Sequence, residues 1–164
     1  MSRIVAICGV KNSGKTTLVS KLIRHLSGEG VKVAVIKHDG HDFACDIPGT
    51  DTYEFSANGA YGVACYSGNR MFVHRAGSGE NFEQMTSMFP EADIILAEGL
   101  KDSTLPKIEV VREEVSRRAV SNPEGRFLIA TDCPQYFPHE RTAALDDINF
   151  IISEVKKRTG LSVV

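Results

Sequence analysis

The feature that most constrains the fold of this chain is a short glycine-containing loop near its amino terminus. Residues 9–16 read Gly-Val-Lys-Asn-Ser-Gly-Lys-Thr and match the phosphate-binding pattern G-x-x-x-x-G-K-[ST] at every fixed position. The glycines let successive backbone N–H groups face one concave nest, at the positive end of the following helix. A plain turn with solvated Lys and Thr is the alternative. The apolar run before the loop and the helical pattern after it favour a nucleoside triphosphate site.

This loop assigns chemistry to individual side chains. We expect Lys15 to reach the β- and γ-phosphates and so to act in any phosphoryl transfer, and the Thr16 hydroxyl to ligate Mg²⁺. The predicted nucleotide contacts of this segment are Gly9, Asn12, Ser13, Gly14, Lys15, Thr16 and Thr17.

Hydrophobic periodicity around the loop predicts an α/β fold. Residues 4–8 and 31–36 are β-branched and apolar, and a helical period over 18–26 joins them into a βαβ unit with parallel strands. A Gly68-Asn69 turn between two β-prone runs predicts an antiparallel hairpin. We therefore predict one domain over 1–164, a doubly wound α/β fold with a mostly parallel sheet of the P-loop NTPase type and an antiparallel hairpin insertion. Further strands are predicted at 63–67, 71–74, 94–97, 106–111 and 127–130, and helices at 50–58, at 81–89 and around 145–158.

Composition excludes several other classes of protein. With 42% hydrophobic residues, 24% charged residues and a net charge of -2, the chain is typical of a globular domain and not of a dedicated nucleic-acid binder. The apolar runs are too short for a membrane span or a secretory signal, so we expect no membrane association and a cytoplasmic location. The four cysteines form no C-x-x-C pair. We expect Cys8 and Cys65, both in apolar runs, to be small buried hydrophobes.

Acidic residues that follow predicted strands are candidates for binding the metal and the base, because ligands collect at the carboxyl ends of parallel strands. Glu98 is the first candidate for the acidic partner of Mg²⁺, and Asp39 is its competitor; an ordinary loop carboxylate is the alternative for each. Asp132 could accept both the ring N–H and the exocyclic amine of guanine, which modestly favours GTP over ATP. An Asp that starts a turn before Pro134 is an equally good explanation.

A polar segment rich in Asp and His follows the second predicted strand. Its ligand types would suit a metal, but the paired spacing of a structural zinc site is missing. A loop that closes over the phosphates or over a second anionic substrate fits better, with Lys37 and two histidines as donors. Lys101 could serve the same surface, and solvated loop polarity is the remaining alternative.

The sequence resembles the MobB family, molybdopterin-guanine dinucleotide biosynthesis protein B, across nearly its first two-thirds. The series that runs from Lys-His to Glu-Gly-x-Lys is more specific than the phosphate loop alone. The matching stretches are the loop from Gly9, Ile-Lys-His-Asp-Gly-His-Asp from Ile36, Asp-Ile-Pro-Gly-Thr-Asp-Thr-Tyr from Asp46, Asn-Gly-Ala from Asn58, and Ile-Leu-Ala-Glu-Gly-Leu-Lys ending at Lys101.

The resemblance implies a GTP-binding, weakly hydrolysing accessory protein with GTP and Mg²⁺ as cofactors. Such a protein works beside a MobA-like guanylyltransferase that attaches GMP to molybdopterin, usually as a homodimer, and molybdopterin is a further candidate ligand. The hairpin near Gly68 would make a dimer arm, since an exposed β edge needs cover. By position, the resemblance implies phosphate and Mg²⁺ binding by Gly14, Lys15 and Thr16, an acidic Walker-B-like place for Glu98, and a loop near the nucleotide that contains His41, Asp42 and Asp46.

Two other functions stay open. A small-molecule kinase would use Asp39 or Asp42 to position an acceptor hydroxyl for attack on the γ-phosphate. A carrier of a pterin or of the molybdenum cofactor would bind a nucleotide that has only a structural role.

Overall fold

A computed structural model of the chain describes residues 3–39, 43, 45–75 and 81–162, and these fall into two compact units. Met1–His38 and Phe82–Val164 form the first unit, and Asp39–Asn81 form the second. The prediction of one nucleotide-binding domain over 1–164 stays a prediction.

The secondary structure consists of eight strands and four α-helices in the described residues. In chain order the elements are β1 (Arg3–Cys8), α1 (Lys15–Gly28), β2 (Val33–Lys37), α2 (Asp51–Ala57), β3 (Gly62–Tyr66), β4 (Met71–Arg75), α3 (Phe82–Ser87), β5 (Ile94–Glu98), β6 (Lys107–Val111), β7 (Arg126–Thr131), β8 (Thr142–Ala143) and α4 (Ile148–Thr159).

The first unit is built on a six-stranded sheet with the order β2-β5-β1-β6-β7-β8. Every neighbouring pair is parallel, so the carboxyl ends of all the strands lie at one edge. β5 and β6 are buried along their whole length, as expected for strands in the middle of a parallel sheet. The predicted α/β fold is confirmed, and the sheet edge that should hold a ligand is the one at which α1 begins.

Helices α1 and α4 pack their apolar sides onto the sheet in one continuous core. Leu22 and Leu26 of α1 and Ile151 and Val155 of α4 are fully buried with β1 residues such as Val5. The Asp147 carboxylate begins α4 by accepting the Phe150 N–H at 3.1 Å, which satisfies one of the free donors of the first turn. These contacts fix α1, and with it the loop that precedes α1, against the sheet.

The second unit contains the predicted hairpin. β3 and β4 pair antiparallel, with Tyr66 opposite Met71 at the turn. The Thr50 side chain caps α2 by accepting the Tyr53 N–H. The prediction that Cys65 is buried is wrong, because this residue is exposed on β3. A two-stranded sheet cannot bury both of its faces within itself, whereas Cys8 lies in the six-stranded sheet and is buried as expected.

One strand of the first unit had no sequence signal. β8 is only two residues long, too short to show an alternating pattern, and it pairs with β7 at the sheet edge. Within the described residues, no helix combines the length and the apolar composition that crossing a bilayer requires.

Candidate nucleotide-binding site

The loop between β1 and α1 has a conformation that glycine makes possible. Gly9 and Gly14 have φ values of +135° and +101°, and Asn12 has +64°. A Cβ on Gly9 would stand 2.4 Å from the Val110 carbonyl oxygen and 2.8 Å from the Ser13 Oγ. Glycine is needed at position 9 for both its backbone angle and its close approach to β6. The loop is thereby held against the strand next to its own.

Cationic side chains line the cavity that this loop opens into. The cavity has a volume of about 430 Å³, and Lys11, Lys15 and Lys37 are among the residues around it. The Lys15 Nζ donates a hydrogen bond to the Val10 carbonyl oxygen of the same loop at 2.7 Å. Ammonium groups that gather at a helix N-terminus, beside a loop of backbone N–H groups, make a site for an anion.

A hydroxyl and a carboxylate meet at the wall of the same cavity. The Thr16 Oγ1 lies 3.1 Å from the Glu98 Oε2 and 3.3 Å from its Oε1. Glu98 ends β5, and only 8% of its surface is exposed. Oxygen ligands of this kind are the ones that Mg²⁺ prefers, so the donor set fits that ion. The structure brings together two residues that are predicted to bind the metal.

Other predicted site residues follow β2 and β5 in the chain. Asp39 is exposed and belongs to the second unit. Asp46 also belongs to that unit, and its Oδ1 accepts the Ile47 N–H at 2.8 Å and the Thr52 hydroxyl at 3.1 Å, so it holds the turn before α2. The predictions for His41 and Asp42 lie outside the described residues. Lys101 is exposed after β5, and its carbonyl oxygen accepts the Asn122 N–H.

A second cavity, of about 380 Å³, is lined by residues from the start of α1 and from the segments where β6, β7 and β8 end. Gly14 and Thr17 line both cavities, so the two adjoin at the loop. Asp132, the predicted reader of the base, lines the second cavity, and its Oδ1 accepts the Glu113 N–H at 2.8 Å. This cavity can take the part of a nucleotide that extends from a triphosphate bound on the loop.

Sequence reasoning missed three charged residues of the second cavity, Lys21, Arg112 and Asp146. Lys21 lies on α1. Arg112 directly follows β6, so the rule that ligands collect beyond the carboxyl ends of strands could have found it. Asp146 comes shortly after β8, whose sequence carries no strand signal.

Two other polar residues of β6, Lys107 and Glu109, are fully buried and hold loops in place. The Lys107 Nζ donates to the Ser103, Asn122 and Glu124 carbonyl oxygens, and burial lowers the pKa of this amine. Because both side chains are buried and bonded to backbone groups, they do not reach a ligand. They stabilise the loops that follow β5 and β6.

The buried thiol next to the loop is unsuited to nucleophilic chemistry. Burial raises the pKa of Cys8 to about 11, which keeps the thiol protonated at neutral pH. Its Sγ donates to the Gly99 carbonyl oxygen at 2.9 Å. Cys8 therefore joins β1 to the loop that follows Glu98.

Residues 4–133 of this chain match the family model of MobB, molybdopterin guanine dinucleotide synthesis protein B. A relative from Haemophilus influenzae named molybdopterin-guanine dinucleotide biosynthesis adapter protein is 30% identical over 151 residues, which cover 90% of this chain and 83% of the relative. The Escherichia coli protein of the same name is also 30% identical, over 98% of this chain and 97% of the relative.

Solved structures show the same architecture. Bacillus subtilis MobB has a TM-score of 0.71 with this chain at 22% identity, covering 93% of this chain and 97% of that one. A MobB homologue from Bacillus stearothermophilus has a TM-score of 0.70 at 20% identity, covering 94% and 99%. At this level of identity the likeness establishes the fold, including a mostly parallel sheet with helices.

Proposed function

The chain belongs to the MobB family, and from this membership we propose that it is a GTP-binding adapter, at most a slow GTPase, in molybdopterin guanine dinucleotide synthesis. Its partner would be a MobA-like guanylyltransferase that attaches GMP to molybdopterin, in the cytoplasm. The observation that carries the proposal is the cationic loop with the Thr16 and Glu98 oxygens beside it. The names of the relatives from Haemophilus influenzae and Escherichia coli support the adapter role.

The phosphate chain would bind in the cavity at the start of α1. Backbone N–H groups of residues 9–17 and the Lys15 ammonium would hold the β- and γ-phosphates, and Lys37 at the end of β2 adds a positive charge to the same cavity. The Lys15 Nζ would exchange its bond to the Val10 carbonyl for phosphate oxygens. The proposed contacts of this part are Gly9, Asn12, Ser13, Gly14, Lys15, Thr16, Thr17 and Lys37.

Thr16 and Glu98 would hold Mg²⁺, Thr16 directly and Glu98 directly or through water. When bound there, the ion neutralises charge on the β- and γ-phosphates. Asp39 is the proposed alternative to Glu98 as the acidic catalytic group. His41, Asp42, Asp46 and Lys101 would contribute to nucleotide binding, as the family resemblance implies. A response of such residues to the nucleotide state is how an adapter can signal to a partner enzyme.

The hairpin supports the proposal of a homodimer. Tyr66 and Met71 pair across the strands of this hairpin and expose 83% and 72% of their surfaces. Exposed apolar side chains of this size next to each other are typical of protein–protein contacts. We propose that β3 and β4 form the dimer arm.

The proposed function predicts nucleotide-dependent stabilisation of the folded chain. GTP with Mg²⁺ at a hundredfold excess over its Kd should add about 2.7 kcal/mol to the free energy of unfolding, since only the folded state binds it. Thermal unfolding measured with GTP, GDP and ATP, each with and without Mg²⁺, checks this. A Tm that no purine triphosphate raises contradicts nucleotide binding, and a GTP effect that is indifferent to Mg²⁺ contradicts the metal role of Thr16 and Glu98.

Base selectivity gives a separate prediction for Asp132. Asp132→Asn should weaken GTP binding about tenfold and leave ATP binding unchanged, because an amide cannot accept both the ring N–H and the exocyclic amine of guanine. Asp146→Asn, in the same cavity, is the matched control. Isothermal titration of both variants with GTP and ATP measures the difference. A GTP-specific loss confined to Asp146→Asn would assign the reading of guanine to Asp146 instead.

A further inference from the structure

Arg112 is a cation beside the phosphate loop for which the described part of the chain offers no partner. Its Nη2 lies 3.4 Å from the point where a Cβ on Gly14 would stand. Its Nε is buried and has no hydrogen-bond partner among the described residues. A guanidinium is always charged and carries five N–H donors. A buried donor without an acceptor lowers the free energy of unfolding, unless a ligand supplies the acceptor.

Hydrogen bonds hold the backbone around Arg112, in contrast to its Nε. The Arg112 carbonyl oxygen accepts the Val115 N–H at 2.9 Å and the Ser116 N–H at 2.8 Å. Asp132 ties the next residue, Glu113, to the end of β7. These contacts fix the point at which the side chain leaves the end of β6.

Two other arginines that follow Arg112 in the chain, Arg117 and Arg126, are paired with carboxylates. Arg126 lies 3.1 Å from Glu109, and Arg117 lies 3.2 Å from Glu113. Within the described part of the chain, the Arg112 guanidinium takes part in no such pair, although carboxylates line the same cavity. The Arg112 guanidinium therefore faces the loop at Gly14, and Lys21 is a second cation that lines this cavity.

The position of the guanidinium indicates which phosphate group would pair with it. Gly14 lies where the phosphate cavity adjoins the second cavity. A nucleotide with its β- and γ-phosphates on Lys15 and its nucleoside in the second cavity must pass Gly14 with its α-phosphate. The Arg112 Nη2 is the donor next to that point.

Resting on the proposed function, we propose that Arg112 is a nucleotide-binding residue that donates to an oxygen of the α-phosphate. Its contact is shared by guanosine tri- and diphosphate, because both carry that phosphate, and it is independent of Mg²⁺ at the β- and γ-phosphates. Arg112 would therefore raise the affinity for GTP and for GDP equally, and it would not discriminate between them.

The test compares GTP and GDP binding to the full chain by isothermal titration. Arg112→Ala should weaken both nucleotides by about tenfold to a hundredfold and by the same factor, since hydrogen bonds to charged groups contribute that much. Arg112→Lys keeps the charge and should retain more of the affinity. Arg118→Ala removes the same charge from an exposed position on the same loop and should bind as the wild type does. Circular dichroism checks folding, and Arg112→Gln replaces the alanine variant if that one is unfolded.

Two results would overturn the proposal. One is binding by Arg112→Ala equal to that of Arg118→Ala; the other is a loss confined to GTP, which would place Arg112 at the γ-phosphate. If the wild type binds neither nucleotide, the proposed function itself fails. If the wild type binds and only Lys15→Ala loses affinity, the proposed function stands and the role of Arg112 does not.

Discussion

Replacing Lys15 by alanine is expected to abolish the stabilisation of this chain by GTP. The Lys15 ammonium already lies over the loop, 2.7 Å from the Val10 carbonyl oxygen, so its charge is in place for the β- and γ-phosphates. Two charge-assisted hydrogen bonds would be lost, and at about 1.5–3 kcal/mol each they correspond to at least a hundredfold loss of affinity. The Tm measured with and without GTP and Mg²⁺ should then differ little.

A matched variant separates loss of the site from loss of net charge. Lys157→Ala removes an equal charge from an exposed position in the last turn of α4 and should keep the full GTP effect. Without nucleotide, Lys15→Ala should lose only about 1 kcal/mol of stability, since one hydrogen bond to a loop carbonyl disappears. A Lys15→Ala protein that GTP stabilises as strongly as the wild type refutes the assignment of the phosphate site.

The largest effect on stability is expected from Glu109. Its carboxylate, fully buried in β6, accepts the Val120 and Ser121 N–H groups and the Ser121 hydroxyl, and it lies 3.1 Å from Arg126. Glu109→Gln removes the charge and leaves the Arg126 guanidinium with Glu140, 2.6 Å away and 37% exposed, as its remaining carboxylate partner. Breaking a buried ion pair costs about 3–5 kcal/mol, and because Glu140 stays in place we expect a loss at the lower end of that range, which is still a large part of the stability of a domain of this size.

Glu113→Gln provides the control for this prediction. Glu113 also pairs with an arginine, Arg117 at 3.2 Å, but the two side chains are 39% and 59% exposed. An exposed pair contributes about 0–1 kcal/mol, so this variant should unfold nearly as the wild type does. Urea denaturation of the two variants compares their free energies of unfolding. Equal losses in both would mean that the pair of Glu109 with Arg126 does not hold the loop after β6.

The local part of the candidate site could be predicted from sequence. The glycines at 9 and 14, the following Lys and Thr, and the apolar runs on either side act within a few residues, so a pattern of fixed spacing describes them. The parallel sheet and the hairpin were predictable for the same reason, because periodicity and turn residues are local signals. The burial of Cys65 was predicted wrongly, since an apolar run does not say how many layers cover it.

The second cavity could not be predicted in the same way. Lys21 lies on α1, whereas Arg112, Asp132 and Asp146 follow three different strands. One of these strands, β8, which leads to Asp146, is too short to leave a pattern. The position of Arg112 directly after β6 is a local signal, but nothing along the chain marks its guanidinium as unpaired. That Arg112 has no partner among the described residues is visible only in the tertiary structure, where β6 lies next to β1 and brings the side chain to Gly14.

By itself the sequence determined the loop, the elements other than β8, and the buried faces of α1 and α4. The tertiary structure decided which of these elements are neighbours. Thr16 and Glu98 are 82 positions apart, and they meet because β5 lies beside β1 in the order β2-β5-β1-β6-β7-β8. Backbone hydrogen bonds between parallel strands are the same for any two strands, so the pattern of one strand cannot select its neighbour. That choice is made by packing of the helices and side chains over the whole sheet.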